Sequence, residues 1–316
     1  MSKMVKKIFW ALAGICGILA AAVAVTVGLF PAQALAALAR YHALRAGLSL
    51  HAISVKGYRI PYYHGGSGPP LVLLHGWSDS KDAFLQSARW LGERYTIYLP
   101  DLPGHGDTAH EPGRRYGAAA QVETLRDFTA ALGLGTFHLG GNSMGGHIAA
   151  AFAIAHPQAV VKLVLLDPAG LRVDDPVPYS DQPAPMDTIA KYDAFMRRVF
   201  VHPPPAPDSI KRLFIQRAVA DFAWLNRMLA DLRSDGAYLL NDRLGEIQAP
   251  TLIVWGEGDG IISIKHAPVW HAGVTGSILV TLTGCGHAPQ YERPQATARL
   301  LLEFLGGRCS PQGCAE

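Results

Sequence analysis

Between residues 70 and 290 the chain returns six times to one local pattern, a short apolar run that stops at glycine, proline or aspartate. The runs are PLVLLHG, YTIYLPDLPGHG, FHLGGNSMGG, VKLVLLDPAG, TLIVWGEGD and SILVTLTGCGH. Short segments rich in Val, Ile and Leu and bounded by turn residues read as strands. Because apolar residues run on rather than alternate with polar ones, such strands must be buried on both faces. Helix-like segments lie between several of them, as at residues 117–132 and 146–156. Strands alternating with helices predict an α/β fold, a mainly parallel sheet covered on both sides. The earlier stretch ISVKGYRIPYYHGG reads as an antiparallel hairpin.

One region departs from this alternation. Residues 171–245 hold no convincing strand and carry VDDPVPYSDQPAPMD, a proline run at 203–205, and amphipathic pieces around 191–201 and 210–232. The natural reading is a helical cap or lid inserted between two sheet strands, over the strand C-termini where open α/β sheets keep their ligands. Phe195, Met196, Phe200, Phe214, Phe222, Trp224 and Met228 either fill the cap's own core or line an acyl tunnel, since helical spacing suits both. Phe195, Phe200, Phe222 and Trp224 are the substrate-binding candidates. The expected division is a leader at 1–30, a linker helix at 31–50, core at 51–170 and 246–306, the cap at 171–245, and a tail at 307–316.

Within FHLGGNSMGGHIAAAFAIAHP, Gly141-Asn142-Ser143-Met144-Gly145 reads G-x-S-x-G between an apolar run and an alanine-rich helix. In that context it is a nucleophile elbow, where a sharp strand-to-helix turn exposes a serine hydroxyl. The hydroxyl is a weak nucleophile and needs a base that is itself oriented by a carboxylate. On such a turn the acid follows the serine in the chain, and the histidine follows the acid. Asp259 ends TLIVWGEGD and His287 stands in GCGHAPQYERP. Each lies just past a predicted strand, so both project from the same sheet edge as Ser143. Asp167, in LLDPAG, is the competing acid. Two backbone N–H donors are needed for a developing oxyanion: Met144 directly follows the serine, and Trp77 lies in the His75-Gly76-Trp77 loop. His75, Asp101 and His105 read as braces of turns, and His147 as packing behind the elbow. No spacing of ligand-type residues suits zinc, so no metal is expected.

The first thirty residues follow a different pattern. MSKMVKK leads into IFWALAGICGILAAAVAVTVGLF, residues 8–30, which has no charged side chain and is long enough to cross a bilayer as a helix. The run exceeds a usual signal-peptide core, although Ala32-Gln33-Ala34 offers a small-residue cleavage site. A membrane anchor is expected, with secretion after cleavage near Ala34 as the alternative. Lys3, Lys6 and Lys7 put the N-terminus in the cytoplasm and the catalytic body on the non-cytoplasmic side. In residues 31–50, Leu35, Leu38, Leu44 and Leu48 recur near helical period. That suits a linker helix packed on the core or an amphipathic helix in the headgroup region. A net charge of only +3, with no dense basic block, excludes nucleic acid as a partner. Cys309 and Cys314 in the tail are placed for a disulfide in an oxidising compartment.

Taken as a set, LLHGW, DLPGHG, GNSMGG, WGEGD and GHAPQYERP stand in the order of the α/β-hydrolase family, which the chain resembles over about residues 50–306. HGWSDSKDAFL, FHLGGNSMGGHIAA, DPAGL and CGHAPQYERP, with the apolar N-terminus, look most like the membrane-anchored monoacylglycerol lipase branch and related bacterial lipases and esterases. The resemblance implies an α/β-hydrolase fold, Ser143 as nucleophile, Asp259 as acid, His287 as base, a lipid or ester substrate, and no cofactor. GNSMGG is also frequent in carbon–carbon hydrolases of meta-cleavage products, but those usually carry tryptophan after the catalytic histidine, where this chain has Ala288. Dehalogenases and most epoxide hydrolases of this fold use aspartate at the elbow, and Ser143 argues against them.

Overall fold

The structure, a computed structural model, describes residues 3–174, 184–236, 239–310 and 313–314. Residues 175–183, 237 and 238 of the expected cap lie outside the described residues. The six apolar runs are strands β3 (Pro70–Leu74), β4 (Thr96–Pro100), β5 (Phe137–Asn142), β6 (Val160–Leu166), β7 (Thr251–Gly256) and β8 (Ile278–Leu282). The hairpin precedes them as β1 (Leu48–Val55) and β2 (Tyr58–Gly66), starting five residues before the ISV of the sequence reading. Its two turn residues, Lys56 and Gly57, have φ of 46° and 83°, the paired positive values of a turn that matches strand twist.

These eight strands form one sheet in the order β1-β2-β4-β3-β5-β6-β7-β8. β2 alone runs against its neighbours, pairing antiparallel with both β1 and β4. The chain moves outward from β3 to β4 on one side and to β5 on the other, so the C-terminal ends of β3 and β5 flank a topological switch point. A crevice for a ligand opens at that place in sheets of this kind.

Both faces of the sheet are covered, as the uninterrupted runs require. Val72, Leu74, Leu139, Leu163, Leu165, Ile253 and Trp255 point to one side. There they meet α4 (Ala118–Ala131), α5 (Met144–Ala155) and α9 (His266–Gly273) through Phe128, Phe152 and Trp270. Their strand neighbours Leu71, Leu73, Ile97, Leu99, Val164, Leu166, Leu252 and Val254 point to the other. That side is closed by α3 (Leu85–Leu91) and α11 (Pro294–Leu305) through Leu91, Leu301 and Phe304. Each such buried side chain contributes roughly 1.5–3 kcal/mol of transfer free energy.

A buried ion pair braces the turn after β4. Lys81 Nζ lies 3.1 Å from Asp101 Oδ2 and 2.6 Å from Asp107 Oδ2. Asp101 also accepts from the backbone N–H groups of Lys81 at 2.7 Å and Asp107 at 2.9 Å. The Lys81 and Asp101 side chains are 6% and 0% exposed. Replacing Lys81 with methionine therefore strands a buried carboxylate and is expected to destabilise the fold by about 3–5 kcal/mol. Urea denaturation measures this, and a loss below about 1 kcal/mol would show that water reaches Asp101.

In residues 171–245 the described structure is helical, with α6 (Ile189–Val199), α7 (Asp208–Ala220) and α8 (Phe222–Ser234) and no strand among the described residues. Thr188 starts α6 by accepting from the Lys191 N–H, a side-chain cap that satisfies one of the helix's free donors. The cap is fastened to the core at distant points in sequence. Trp224 Nε1 donates to Gly104 O at 3.0 Å, and its ring stacks on His110. At the end of α6, Arg198 O accepts from Gly260 N at 3.0 Å and Val199 O from His287 N at 2.7 Å.

At the N-terminus α1 (Lys3–Leu29) is followed by α2 (Pro31–Arg45). Among the described residues no single helix is long and apolar enough to cross a membrane. A pair, Ala22–Leu29 with Pro31–Arg45, meets that length and composition together, bent by 118°. Ser209 Oγ of α7 donates to Val27 O at 2.8 Å, which ties the cap to α1. In the tail Cys309 is disulfide-bonded, and the register of the short ribbon β9 (Cys309–Ser310) and β10 (Gly313–Cys314) sets Cys314 opposite it.

Candidate active site

Ser143 joins β5 to α5 with φ 56° and ψ −119°, a conformation that costs a residue bearing a Cβ on the order of 1–3 kcal/mol. Three backbone hydrogen bonds hold it there. Its N–H donates to Leu166 O at 2.9 Å, and its carbonyl accepts from His147 N and Ala169 N, each at 3.0 Å. The flanking glycines are dictated by contact. A Cβ at Gly141 would stand 2.4 Å from the Gly145 carbonyl carbon, and one at Gly145 would stand 2.3 Å from Leu74 O. The helix crosses the ends of β5 and β3 with no space for a side chain at either position.

Asp259 and His287, from the loops after β7 and β8, meet in the buried interior. His287 Nδ1 lies 2.7 Å from Asp259 Oδ2. The other oxygen of Asp259 accepts from Ile261 N at 2.7 Å and Ile262 N at 2.9 Å, so the carboxylate cannot swing away. An ionised carboxylate only accepts, so opposite one the imidazole would carry its proton on Nδ1 and leave Nε2 free to accept. The histidine loop is clamped beside the serine: Asn142 Nδ2 donates to His287 O at 3.0 Å, and Gln290 Nε2 donates to Asn142 Oδ1 at 3.0 Å. Sequence reading passed over Asn142 and Gln290, although one precedes Ser143 and the other lies three residues beyond His287.

The loop after β3 leans on the same turn. A Cβ at Gly76 would lie 3.3 Å from Ser143 Cβ, which brings the Gly76-Trp77 peptide beside the serine. His75 fixes that loop. Its Nε2 accepts from Leu102 N at 2.9 Å, leaving Nδ1 to donate to Gly76 O at 2.8 Å. Burial lowers its pKa to about 4, so it stays neutral and keeps this arrangement through the neutral range. Met144 is the first residue of α5, at the end of the helix where the dipole is positive.

Asp167, the competing acid, stands past the end of β6, fully buried. Its Oδ1 accepts from Gly256 N at 2.8 Å. Side-chain ligand atoms of Asp167, Asp259 and His287 all lie within 4.8 Å of one another. Such a donor set is of a kind that binds cations, but Asp259 Oδ2 and His287 Nδ1 already satisfy each other. Burial and the neighbouring Asp259 charge hold Asp167 well above the usual carboxylate range.

Of the four substrate-binding candidates, Phe195 and Phe222 are half-buried, Phe200 is buried beside the α6 end that bonds His287, and Trp224 is half-buried with its indole engaged on Gly104 and His110.

Comparison with known proteins agrees with this architecture. The Alpha/beta hydrolase family profile matches residues 71–300. The chain is 28% identical over 256 residues to monoacylglycerol lipase abhd6-B of Xenopus laevis, covering 76% of each. It is 31% identical over 249 residues to lipase 3 of Moraxella sp. (strain TA144), covering 76% of this chain and 78% of the lipase. Among solved structures it is similar to a membrane phospholipase A described as a bacterial virulence factor, with a TM-score of 0.83 and 36% identity over 94% of this chain and 97% of that one. A meta-cleavage product hydrolase from Pseudomonas fluorescens IP01 shares the fold, with a TM-score of 0.71 at 21% identity over 81% of this chain and 97% of that one. With a profile spanning most of its length and lipases among its relatives, the chain belongs to the alpha/beta hydrolase family and is an ester-hydrolysing enzyme.

Proposed function

We propose that Ser143, His287 and Asp259 act as nucleophile, base and orienting acid in the hydrolysis of lipid esters through an acyl-enzyme. The observation that carries this is the pairing of a strained serine turn with a histidine whose Nδ1 is held 2.7 Å from Asp259. His287 Nε2 takes the Ser143 proton as Oγ attacks the ester carbonyl, and the imidazolium that forms is stabilised by Asp259. The N–H groups of Trp77 and Met144 receive the oxyanion; removal of one such donor costs about 3–4 kcal/mol in comparable sites. The imidazolium then gives its proton to the leaving alcohol. Water, deprotonated by the same Nε2, releases the acid and restores the serine.

The lipid preference rests on the monoacylglycerol lipase and phospholipase relatives, on the half-buried Phe195 and Phe222 of the cap, and on the apolar N-terminus. In this reading residues 8–30 anchor the protein, the cap sits next to the anchor through the Ser209–Val27 bond, and acyl chains enter beneath the cap. The catalytic body lies on the non-cytoplasmic side, following the lysines at the extreme N-terminus.

The test is hydrolysis of a series from p-nitrophenyl acetate to long-chain monoacylglycerols, below and above micelle formation. Preference for long chains with a rate increase at the interface is expected. A preference for acetate that ignores micelles would replace the lipase by a small-ester hydrolase. Turnover of conjugated dienoic keto-acids with none of esters would mean carbon–carbon chemistry, for which Ala288 after the histidine is already an unfavourable residue.

A further inference from the structure

The triad reading uses one carboxylate, yet two occupy the space beside His287. Asp167 is 0% exposed and Asp259 9%, and their oxygens approach within 4.8 Å of each other and of the imidazole. Both oxygens of Asp259 are engaged: Oδ1 serves Ile261 and Ile262, and Oδ2 serves His287, which leaves one lone pair on Oδ2 able to accept. On Asp167 the Gly256 N–H serves Oδ1, while the fully buried Oδ2 has no donor among the described residues. A carboxylate oxygen without a donor, enclosed beside a second carboxylate, is an arrangement two like charges cannot keep. A carboxylic acid O–H can, because it turns the orphan oxygen into a donor and the repulsion into a hydrogen bond.

We propose, building on the triad reading above, that Asp167 is a positioning residue which stays protonated and donates its carboxyl O–H to the Asp259 carboxylate. The pair then carries a single negative charge, matching the single positive charge of the His287 imidazolium. The shared hydrogen bond holds Asp259 in addition to the N–H groups of Ile261 and Ile262. Asp167 is held in place independently of that bond. Its N–H donates to Val254 O at 2.9 Å, and its φ of 44° lies in the left-handed region that Asp and Asn tolerate best. The titratable groups facing it are Asp259 from the loop after β7, and Cys285 and His287 from the loop after β8. Burial pushes the Cys285 thiol up to about 12, so it remains neutral. The direction in which burial and Asp259 displace Asp167 agrees with the protonated form.

Two variants separate this role from simple space-filling. Asp167→Asn keeps an oxygen for Gly256 N–H and an N–H for Asp259, and is expected to retain at least about a third of kcat/KM. Asp167→Ala removes the donor to a charged group and is expected to lose about 10- to 100-fold. Without that donor Asp259 concentrates more charge toward His287, the imidazolium is favoured, and the acidic limb of the kcat/KM profile moves to higher pH. The profile of Asp167→Asn keeps the wild-type position. Infrared difference spectra between wild type and Asp167→Asn should show the carbonyl band of a protonated carboxyl, present only in wild type. Collapse of activity in Asp167→Asn would make Asp167 an ionised catalytic acid and overturn the proposal. An unshifted profile and full activity in Asp167→Ala would overturn it as well, as would the absence of the infrared band. Loss of the band together with activity that depends on added divalent cation would assign the pair to a metal instead. Failure of wild-type Ser143 to react with a fluorophosphonate would sink the triad reading, and the infrared band would still decide the protonation of Asp167.

Discussion

Replacing Ser143 with alanine is expected to lower kcat on any ester the enzyme turns over by about 10,000-fold or more, with no loss of fold. The size of the effect follows from chemistry, because alanine leaves His287 with no hydroxyl to deprotonate. Stability is spared because the strained φ of 56° burdens any residue with a Cβ, and alanine adds no atom to a turn already closed by Gly141, Gly145 and Gly76. Steady-state kinetics and a thermal melt on the same preparation measure both halves. Residual activity above about one per cent of wild type would mean that another group attacks the ester.

Asp259→Asn has the second-largest expected effect, a fall of about 1,000- to 10,000-fold in kcat. Here geometry forces the outcome. The backbone N–H groups of Ile261 and Ile262 both need an oxygen at the Oδ1 position, so the new amide must turn its NH2 toward His287. Nδ1 would then accept rather than donate, Nε2 would carry the proton, and the base facing Ser143 would be lost. Were Asp167 the ionised acid, Asp259→Asn would cost far less than Asp167→Asn. The ratio of the two kcat values therefore decides between the two aspartates.

The sheet was legible because six of its eight strands, β3 to β8, are short apolar runs cut off by a turn former, and those interruptions mark the sheet's active edge. Gly145 closes the GNSMG turn because the helix must cross Leu74 O, and the same local constraint writes the motif into the sequence. The hairpin edge was less legible: Leu48 is buried but Leu50, on the same face, is 57% exposed, so no period-2 pattern marks where β1 begins. Contacts between elements far apart in sequence left no local trace. Nothing in the runs VVKLVLL and TLIVWG says that β6 and β7 are neighbours, so the approach of Asp167 to Asp259 was invisible. The bond from His287 N to Val199 O and the fixing of Trp224 on Gly104 O depend on how the cap folds back. A residue that reads as tunnel lining by helical period thus has its indole N–H committed to holding the cap.

The most direct test of the central claim is to trap the acyl-enzyme. Wild type and Ser143→Ala would be quenched during turnover of a long-chain p-nitrophenyl ester, digested, and the peptide containing Ser143 weighed by mass spectrometry. The account predicts that this peptide gains the mass of the acyl group in wild type, on Ser143, and gains nothing in the variant. Turnover in wild type with the acyl group found on another residue would contradict it.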